Sequence, residues 1–432
     1  SFGASAAFGQ TWTSKFDATK MRDRVMRLSA DDFEGRGPGT AGGKRAAQYI
    51  ADQMKAGGVK PGNGKSYFQN VKLVGVKADP ATQLTATITK GPTNVYFKFG
   101  EDFVATTGTQ TQDVAMNAEV IFMGYGIDAP LYNWNDYKGD PDQYKGKVLM
   151  VVNDPPATDK EPNLFGGKAL TYYGRWTYKY EEAARRGAAG VILIHTNESA
   201  GYGWNVIQTS NGNWRYEIAR TPGDKTPFLP VRAWMTNDAA TKLAGVGHIN
   251  LEELKQRAKS RDFNPVNLGV TAKLNLKSEL KIEDSPNVVG IVDGSDPKLS
   301  KEFVVITGHW DHLGIGSPDA RGDKIFNGAY DNASGVSAIL GIADILAKMP
   351  KKQRPKRSFL FLFPTAEEQG LLGAEYYAEK PLVPLAKTAA NVNIDGVNFF
   401  GKTEDFSALG VERSTLGLLV QSVASERSMT LQ

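Results

Sequence analysis

The stretch Phe303-Val-Val-Ile-Thr307-Gly-His309-Trp-Asp311-His312 decides the fold class of this 432-residue chain. Its first five residues are apolar or β-branched, a pattern typical of a strand that is buried on both faces in a parallel sheet. A histidine and an aspartate follow directly, where the strand leaves the sheet. In α/β sheets, functional groups collect beyond the carboxyl ends of the strands. We therefore predict an α/β fold with its functional site just after this strand.

The residues after this stretch alternate between helix and strand patterns. A helix is predicted over 334–348, because apolar residues recur there at 3.6-residue spacing. Strands are predicted over 358–363 and 390–394, with a second helix over 371–378 between them. This alternation indicates a mixed, mostly parallel sheet flanked by helices.

The middle of the chain has a different character, with strand-like runs and loops rich in glycine and aromatic residues. We predict a β-rich inserted domain over 111–264 and a first domain formed by 1–110 and 265–432. One helix is predicted between two of its strands, over 178–186. Its predicted strands are 118–123, 148–152, 190–195 and 228–231.

Composition and charge exclude several classes of protein. The 51 basic and 47 acidic residues give a net charge of only +4, too small to indicate a nucleic-acid partner. The longest apolar runs have about five residues, against roughly 20 for a membrane-spanning helix. The absence of cysteine removes disulfides, thiolate metal sites and cysteine nucleophiles. Any metal site must therefore use histidines and carboxylates.

Polar side chains stand after each predicted strand of the last third. His309 and Asp311 follow the first strand, Glu367 and Glu368 follow the second, and Asp395 follows the third. Taken singly, these residues have ordinary explanations, such as a solvated Glu-Glu pair. Taken together, they place several carboxylates at one sheet edge without a basic neighbour, where they would repel one another. A pair of divalent cations resolves this repulsion.

Asp331 precedes the first helix and is a further candidate, although Asp331-Asn332 could also be an ordinary helix cap. Oxygen and nitrogen ligands without sulfur suit zinc, manganese or cobalt. Of Glu367 and Glu368, one can bind metal while its neighbour takes a proton from the attacking water. Asp311 can accept the second imidazole N–H of His309 and fix its tautomer.

The sequence resembles the di-zinc aminopeptidase family with a protease-associated insertion, which also contains glutamate carboxypeptidase II and the inactive transferrin receptor. The motifs that carry the resemblance are His309-Trp-Asp311-His312-Leu-Gly, Tyr330-Asp331-Asn332-Ala-Ser-Gly, Ala366-Glu367-Glu368-Gln-Gly, Asn393-Ile-Asp395, Gly35-Arg-Gly-Pro-Gly and, in the insertion, Lys179-Tyr-Glu-Glu-Ala-Ala-Arg-Arg-Gly.

The resemblance implies a zinc exopeptidase fold and hydrolysis of peptide substrates through a metal-bridging water. It implies that His309 and Asp395 bind one zinc, that Glu368 binds the other, and that Asp331 bridges them. Glu367 would be the general base. The peptide bond between Asp331 and the next residue would be cis, and a homodimer is an expectation of the same kind.

The family has one more histidine ligand, well beyond the position of Asp395, whereas this chain has no histidine after His312. We expect two zinc ions per full-length chain and one incomplete site in the 432-residue form. Such a form should hold one zinc well and the other weakly, or hold none, and should be nearly inactive.

Three alternatives stay open at this level. Residues 396–403 fit the phosphate-loop pattern, but Glu404 and Asp405 follow where a helix should begin, which disfavours a nucleotide hydrolase. An inactive scaffold that acts as a binding protein and a glutaminyl cyclase are the other two.

Residues 1–10 lack the features of a signal peptide. Their small residues suit the start of a processed chain, so we expect a secreted or periplasmic protein.

Overall fold

The computed structural model describes residues 15–89, 91, 94–154, 161–162, 164–166, 171–221, 223–316, 318, 321–411 and 414–432. Residues 1–10, on which the expectation about location rests, lie outside these ranges. The chain divides into two compact units, one formed by Ser1–Leu73 with Asp284–Gln432 and the other by Val74–Glu283. The predicted domain boundaries, 110/111 and 264/265, both fall within the second unit. The difference arises because residues 83–107 form strands that pair within that unit.

The sheet of the first unit contains the strand that was read first from the sequence. Phe303–Thr307 lies between Thr388–Asn393 and Ser358–Phe363 and is parallel to both. The last part of Val266–Val292 pairs with Ser358–Phe363 in the antiparallel sense, and Lys60–Pro61 pairs with it on the other side. The sheet is therefore mixed, and the three strands Thr388–Asn393, Phe303–Thr307 and Ser358–Phe363 form its parallel part. This arrangement confirms the predicted α/β class.

Helices flank this sheet, and the predicted elements of the last third begin and end within two residues of the observed ones. Thr40 caps one helix by accepting a hydrogen bond from the Gly43 N–H, and Gly57 ends that helix. The helices of the first unit are Ala18–Leu28, Ala41–Ala56, Gly335–Lys348, Leu372–Glu379 and Leu416–Glu426.

Apolar residues on both faces of the first unit's sheet are buried, as expected for strands without polar interruption. Successive side chains of a strand point to opposite faces. Ile306 and Phe361 therefore pack in one core with the helix residue Ile339, while Val305 and Leu360 pack in a second core on the other face. Burial on both faces fixes each strand in place, and with it the loops that follow.

The second unit has its own sheet, with parallel strands in the middle and antiparallel ones at the sides. The long strand Val266–Val292 contributes its first part to this unit, and Phe68–Ala78 ends in it. The remaining main strands are Gln83–Ile88, Asn94–Lys98, Phe103–Thr107, Asp113–Phe122, Val148–Val152, Gly190–His195, Arg215–Ile218 and Val231–Thr236.

The predicted helix over 178–186 is confirmed as Trp176–Arg185, between Val148–Val152 and Gly190–His195. One strand prediction for this unit is wrong. The strand predicted over 228–231 lies instead at Val231–Thr236, because Pro230 has no N–H for a sheet hydrogen bond and Phe228 is exposed. The further helices described in the unit are Asn197–Ala200, Trp204–Gly212, Asn237–Val246 and Leu251–Arg257.

Short strand pairs complete the described elements, Asp128–Ala129 with Trp134–Asn135 in the second unit and Asp405–Phe406 with Thr430–Leu431 in the first. Among the described residues, no helix combines the length and the apolar character needed to cross a bilayer.

Candidate metal centre

The parallel strands of the first unit bring the predicted site residues to one edge of the sheet. His309 lies two residues after Phe303–Thr307, and Asp395 lies two residues after Thr388–Asn393. Glu367 and Glu368 follow Ser358–Phe363, the third strand of the parallel set. Loops that leave parallel strands in the same direction converge, which explains how residues far apart in sequence meet here.

Asp331 reaches this edge from the turn before helix Gly335–Lys348. The Asp331–Asn332 peptide bond is cis, as the family resemblance implied. The buried Asn332 side chain accepts hydrogen bonds from the N–H groups of Gly335, at 3.1 Å, and Gly396, at 2.9 Å. Its Nδ2 donates to the Ile394 carbonyl at 3.0 Å. Asn332 thereby joins the turn that carries Asp331 to the loop that carries Asp395.

One group of ligand atoms surrounds the buried imidazole of His309. Its Nε2 lies 3.1 Å from Asp331 Oδ1 and 3.3 Å from Asp395 Oδ1. Glu367 Oε2 is 4.0 Å from the same nitrogen. One histidine and two carboxylates with ligand atoms this close form a set that can hold a metal ion.

A second group of ligand atoms uses Asp331 again, together with His312 and Glu368, and all of them lie within 4.8 Å of one another. His312 Nδ1 is 2.6 Å from Glu368 Oε1. From the sequence alone, His312 could either line the substrate cleft or pack under the sheet edge. Its position directly after Asp311 suggested a place near the site, but the residues that it contacts depend on the path of the following loop.

Asp311 is completely buried, yet it makes a different contact from the one expected. His309 Nδ1 lies 3.2 Å from the backbone oxygen of Asp311 and 3.8 Å from its carboxylate. The carboxylate instead accepts a hydrogen bond from the Glu367 N–H at 3.0 Å. The sequence predicted that the Asp311 carboxylate would accept the imidazole N–H. In the structure the backbone carbonyl of Asp311 lies closer to the ring, because the chain after His309 brings that carbonyl to Nδ1.

The crowded carboxylates change the protonation of the site. Burial lowers the pKa of His309, but the carboxylates of Asp331 and Asp395 outweigh burial and raise that pKa to about 11. His309 in turn lowers the pKa of Asp331. Burial raises the pKa of Asp311 to about 6 and that of Glu367 to about 7. A carboxyl group with a pKa near neutrality suits a proton acceptor at physiological pH.

The residues present fit a metal ion. Asp331 Oδ1 is shielded from solvent and lies 3.1 Å from His309 Nε2, and Asp331 belongs to both groups of ligand atoms. Carboxylates that lie this close together repel one another unless a positive charge stands among them. Histidine nitrogen and carboxylate oxygen are ligands that zinc accepts. The donor set therefore matches the cation that the sequence predicted.

Sequence analysis assigned no role to two further residues at the site. Asn332 was considered only as a helix cap, and Arg36 was quoted only within a motif. Arg36 is buried and donates to backbone carbonyls around the site. Every residue has a backbone carbonyl, so the identity of the residues in the sequence could not have indicated these contacts.

The fold and site together define a class of protein, an α/β protein with a histidine–carboxylate metal centre at the carboxyl edge of its parallel strands. Residues 287–432 match the model of peptidase family M28. This part of the chain is thus similar to the M28 peptidases, consistent with the superfamily that the sequence motifs indicated.

Curated relatives include two aminopeptidases. The chain is 31% identical over 432 aligned positions to aminopeptidase NAALADL1 of Rattus norvegicus, covering 88% of this chain and 53% of that protein. It is 26% identical to aminopeptidase YwaD of Bacillus subtilis, covering 63% of this chain and 44% of the relative. The chain spans about half the length of these relatives. Among solved structures, the aminopeptidase of Aneurinibacillus sp. strain AM-1 aligns at 19% identity and a TM-score of 0.49, over 92% of this chain and 75% of that one.

Proposed function

We propose that this protein is a zinc-dependent exopeptidase of the aminopeptidase type, which removes small amino acids or dipeptides from a free N-terminus. The observation that carries the proposal is the pair of ligand groups that share Asp331, with Glu367 beside them. The M28 match and the aminopeptidase relatives support the same activity.

The side chains present would hold two zinc ions. His309, Asp331 and Asp395 would hold one ion, and Asp331 and Glu368 would hold the other. When bound, the ions would acidify a water molecule and polarise the scissile carbonyl. Zinc fits the donor set, since it accepts both imidazole nitrogen and carboxylate oxygen as ligands.

Glu367 would act as the general base. Its carboxylate lies at the edge of the ligand group, 4.0 Å from His309 Nε2, so it can face the attacking water without serving as a ligand. Burial raises its pKa to about 7, which suits a group that accepts a proton from water and passes it to the leaving amine. Asp311 would support this role by holding the Glu367 N–H.

Carboxylates beside the metals that are not themselves ligands would favour substrates with a protonated N-terminus. Negative groups that border a site attract a cationic substrate end. An α-ammonium group would therefore bind beside the metals, next to the bond to be cut.

Several wider expectations remain proposals. The unit Val74–Glu283 would correspond to the protease-associated insertion, on the strength of the motif that begins at Lys179. A secreted or periplasmic location and a homodimer are expectations from the sequence alone.

The test is a panel of zinc-loaded assays with purified full-length protein. Aminoacyl anilides and short peptides should be hydrolysed, the same peptides with an acetylated N-terminus should not, and a chelator should abolish the reaction. Cyclisation of N-terminal glutamine without peptide cleavage would favour the glutaminyl cyclase. Full zinc binding without turnover of any substrate would favour the inactive scaffold.

A further inference from the structure

Arg36 lies in a constrained segment that fits closely against the first loop of the site. Only 1% of its surface is exposed. It follows Gly35, whose φ of 64° belongs to the left-handed region, and a Cβ at Gly35 would lie 2.4 Å from the Gly314 carbonyl oxygen. The Arg36 backbone carbonyl also accepts a hydrogen bond from the His312 N–H at 3.2 Å. The segment and the loop are therefore fixed to each other.

The guanidinium of Arg36 uses all of its donor groups on backbone carbonyls. Arginine offers five N–H donors in a planar fork, and here each contact is made to a carbonyl oxygen. The acceptors are the carbonyls of Trp310, Leu28, Asn327, Gly328 and Asp331, at 2.9, 2.7, 2.7, 2.9 and 3.3 Å.

Leu28 ends the helix Ala18–Leu28, and the other four acceptors belong to the two segments that carry the ligands His309 and Asp331. Trp310 is the neighbour of His309, on the loop after the first strand. Asp331 and Gly328 lie in the turn before the helix. A Cβ at Gly328 would lie 2.5 Å from the guanidinium, so the turn approaches Arg36 as closely as glycine permits. One rigid side chain thus joins the segment of His309 to the segment of Asp331.

The charge of the guanidinium has no direct carboxylate partner within the described part of the chain, because every acceptor of Arg36 is a neutral carbonyl. The acidic groups that interact with it electrostatically are Asp311, Asp331 and Glu368. Buried charges need compensation. The carboxylates of the metal centre compensate the positive charge of the guanidinium, and the guanidinium compensates part of their negative charge.

We propose that Arg36 is a positioning residue of the metal centre, which sets the spacing between the ligands His309 and Asp331 and places a fixed positive charge behind the carboxylates. This proposal rests on the proposed function. It assigns Arg36 no contact with substrate.

Arg24 provides a matched control for general effects of losing a buried arginine. It belongs to the same unit, and 2% of its surface is exposed. Its guanidinium donates to Asp344 at 2.8 Å and to Gln53 at 3.0 Å, and neither partner is a candidate ligand. Loss of Arg24 should therefore reduce stability without altering the metal centre.

The experiment compares Arg36→Met, Arg36→Lys and Arg24→Met with the parent protein. Zinc affinity is measured by competition with a chromophoric chelator at a temperature where circular dichroism shows each variant folded. The visible spectrum of the cobalt-loaded proteins reports the geometry of the ligands, and kcat and KM are measured for one aminoacyl anilide. Changes around metal ligands typically cost 10–100-fold in metal affinity or activity.

We expect both Arg36 variants to lose 10–100-fold in zinc affinity, with a changed cobalt spectrum and a larger effect on kcat than on KM. Arg36→Lys keeps the charge but not the planar fork, so it should restore only part of the loss. Should Arg36→Met not fold, Arg36→Lys decides the matter. Arg24→Met should bind zinc like the parent.

Parental zinc affinity in the folded Arg36 variants would overturn the proposal, and so would an equal loss in Arg24→Met. A parent protein that binds no zinc would instead refute the proposed function, which keeps the two failures distinct.

Discussion

Glu367 and Glu368 are adjacent in sequence but have different surroundings. Glu368 lies 2.6 Å from His312 Nδ1 and belongs to the ligand group that contains Asp331. Glu367 has its N–H held by Asp311, and its carboxylate stands 4.0 Å from His309. Glu367 also forms a group of possible ligands with His309 and Glu368, so the proposed division into a ligand, Glu368, and a base, Glu367, needs an experiment that separates them.

Glu367→Gln should keep its zinc and its fold but lose most of its turnover. Removal of a general base typically costs about 10²–10⁴-fold in rate while the ligands stay in place. Glu368→Gln is the matched variant, since it removes the same charge one residue away, and it should lower the zinc content. Elemental analysis and kcat for one peptide check both variants. Equal zinc loss in the two would show that the roles are assigned wrongly.

Lys179 is a buried titratable residue outside the metal centre. Its Nζ has no hydrogen-bond partner, and Asp136 and Asp154 are the acidic groups near it. Burial lowers the pKa of Lys179 to about 7, against an ordinary value of 10.5. Between these values the unfolded chain binds a proton that the folded chain lacks. Stability should then rise with pH.

The free energy of unfolding of the parent should therefore rise relative to that of Lys179→Met as the pH increases from 7 to 10. One proton corresponds to at most about 1.4 kcal/mol per pH unit. Burial also raises the pKa of Asp136 to about 6 in the parent, where the charge of Lys179 lowers it; loss of Lys179 would raise that pKa further, which changes the difference in the same direction. Urea unfolding at each pH measures the difference. Parallel pH profiles of parent and variant would contradict the prediction.

At the scale of elements, the side chain of Asn332 links the helix Gly335–Lys348 to the loop after Thr388–Asn393. It has no solvent exposure and makes hydrogen bonds to Gly335, Gly396 and Ile394. The Asn332 side chain therefore links the turn that carries Asp331 to the loop that carries Asp395.

Asn332→Ala should lower both stability and zinc affinity. Each buried backbone group left without a partner costs about 1–3 kcal/mol. Asn332→Asp keeps an oxygen that accepts hydrogen bonds from the two N–H groups. It replaces the amide donor to the Ile394 carbonyl with a second oxygen, so its stability should lie between those of the parent and Asn332→Ala. Thermal unfolding and a zinc titration compare the three proteins. An unchanged zinc affinity in Asn332→Ala would show that the link does not position the ligands.

The sequence was most informative where one physical effect dominates. The uninterrupted apolar strands Phe303–Thr307 and Ser358–Phe363 could be predicted because burial on both faces demands them. The site residues after these strands could be predicted because the ends of parallel strands converge. The contacts of Arg36 could not, because its acceptors are backbone carbonyls that every residue provides. The helix Asn237–Val246 was missed because alanine and glycine give its core face a weak apolar signal.

At the scale of the whole molecule, the residues Val74–Glu283 form a unit with cores of their own. All proposed ligands lie outside it, within Asp284–Gln432. A fragment of residues 74–283 should therefore fold cooperatively in isolation and bind no stoichiometric zinc. Circular dichroism, a denaturant titration and elemental analysis check this expectation. An unfolded fragment would show that its sheet depends on the other unit.

The most direct test of the central claim is the release of N-terminal amino acids by the purified full-length protein, measured with and without zinc on one peptide in free and N-acetylated forms. We predict turnover of the free peptide that a chelator abolishes and added zinc restores, with the acetylated peptide left intact. Cleavage that persists without metal, or that ignores acetylation, would contradict a zinc aminopeptidase.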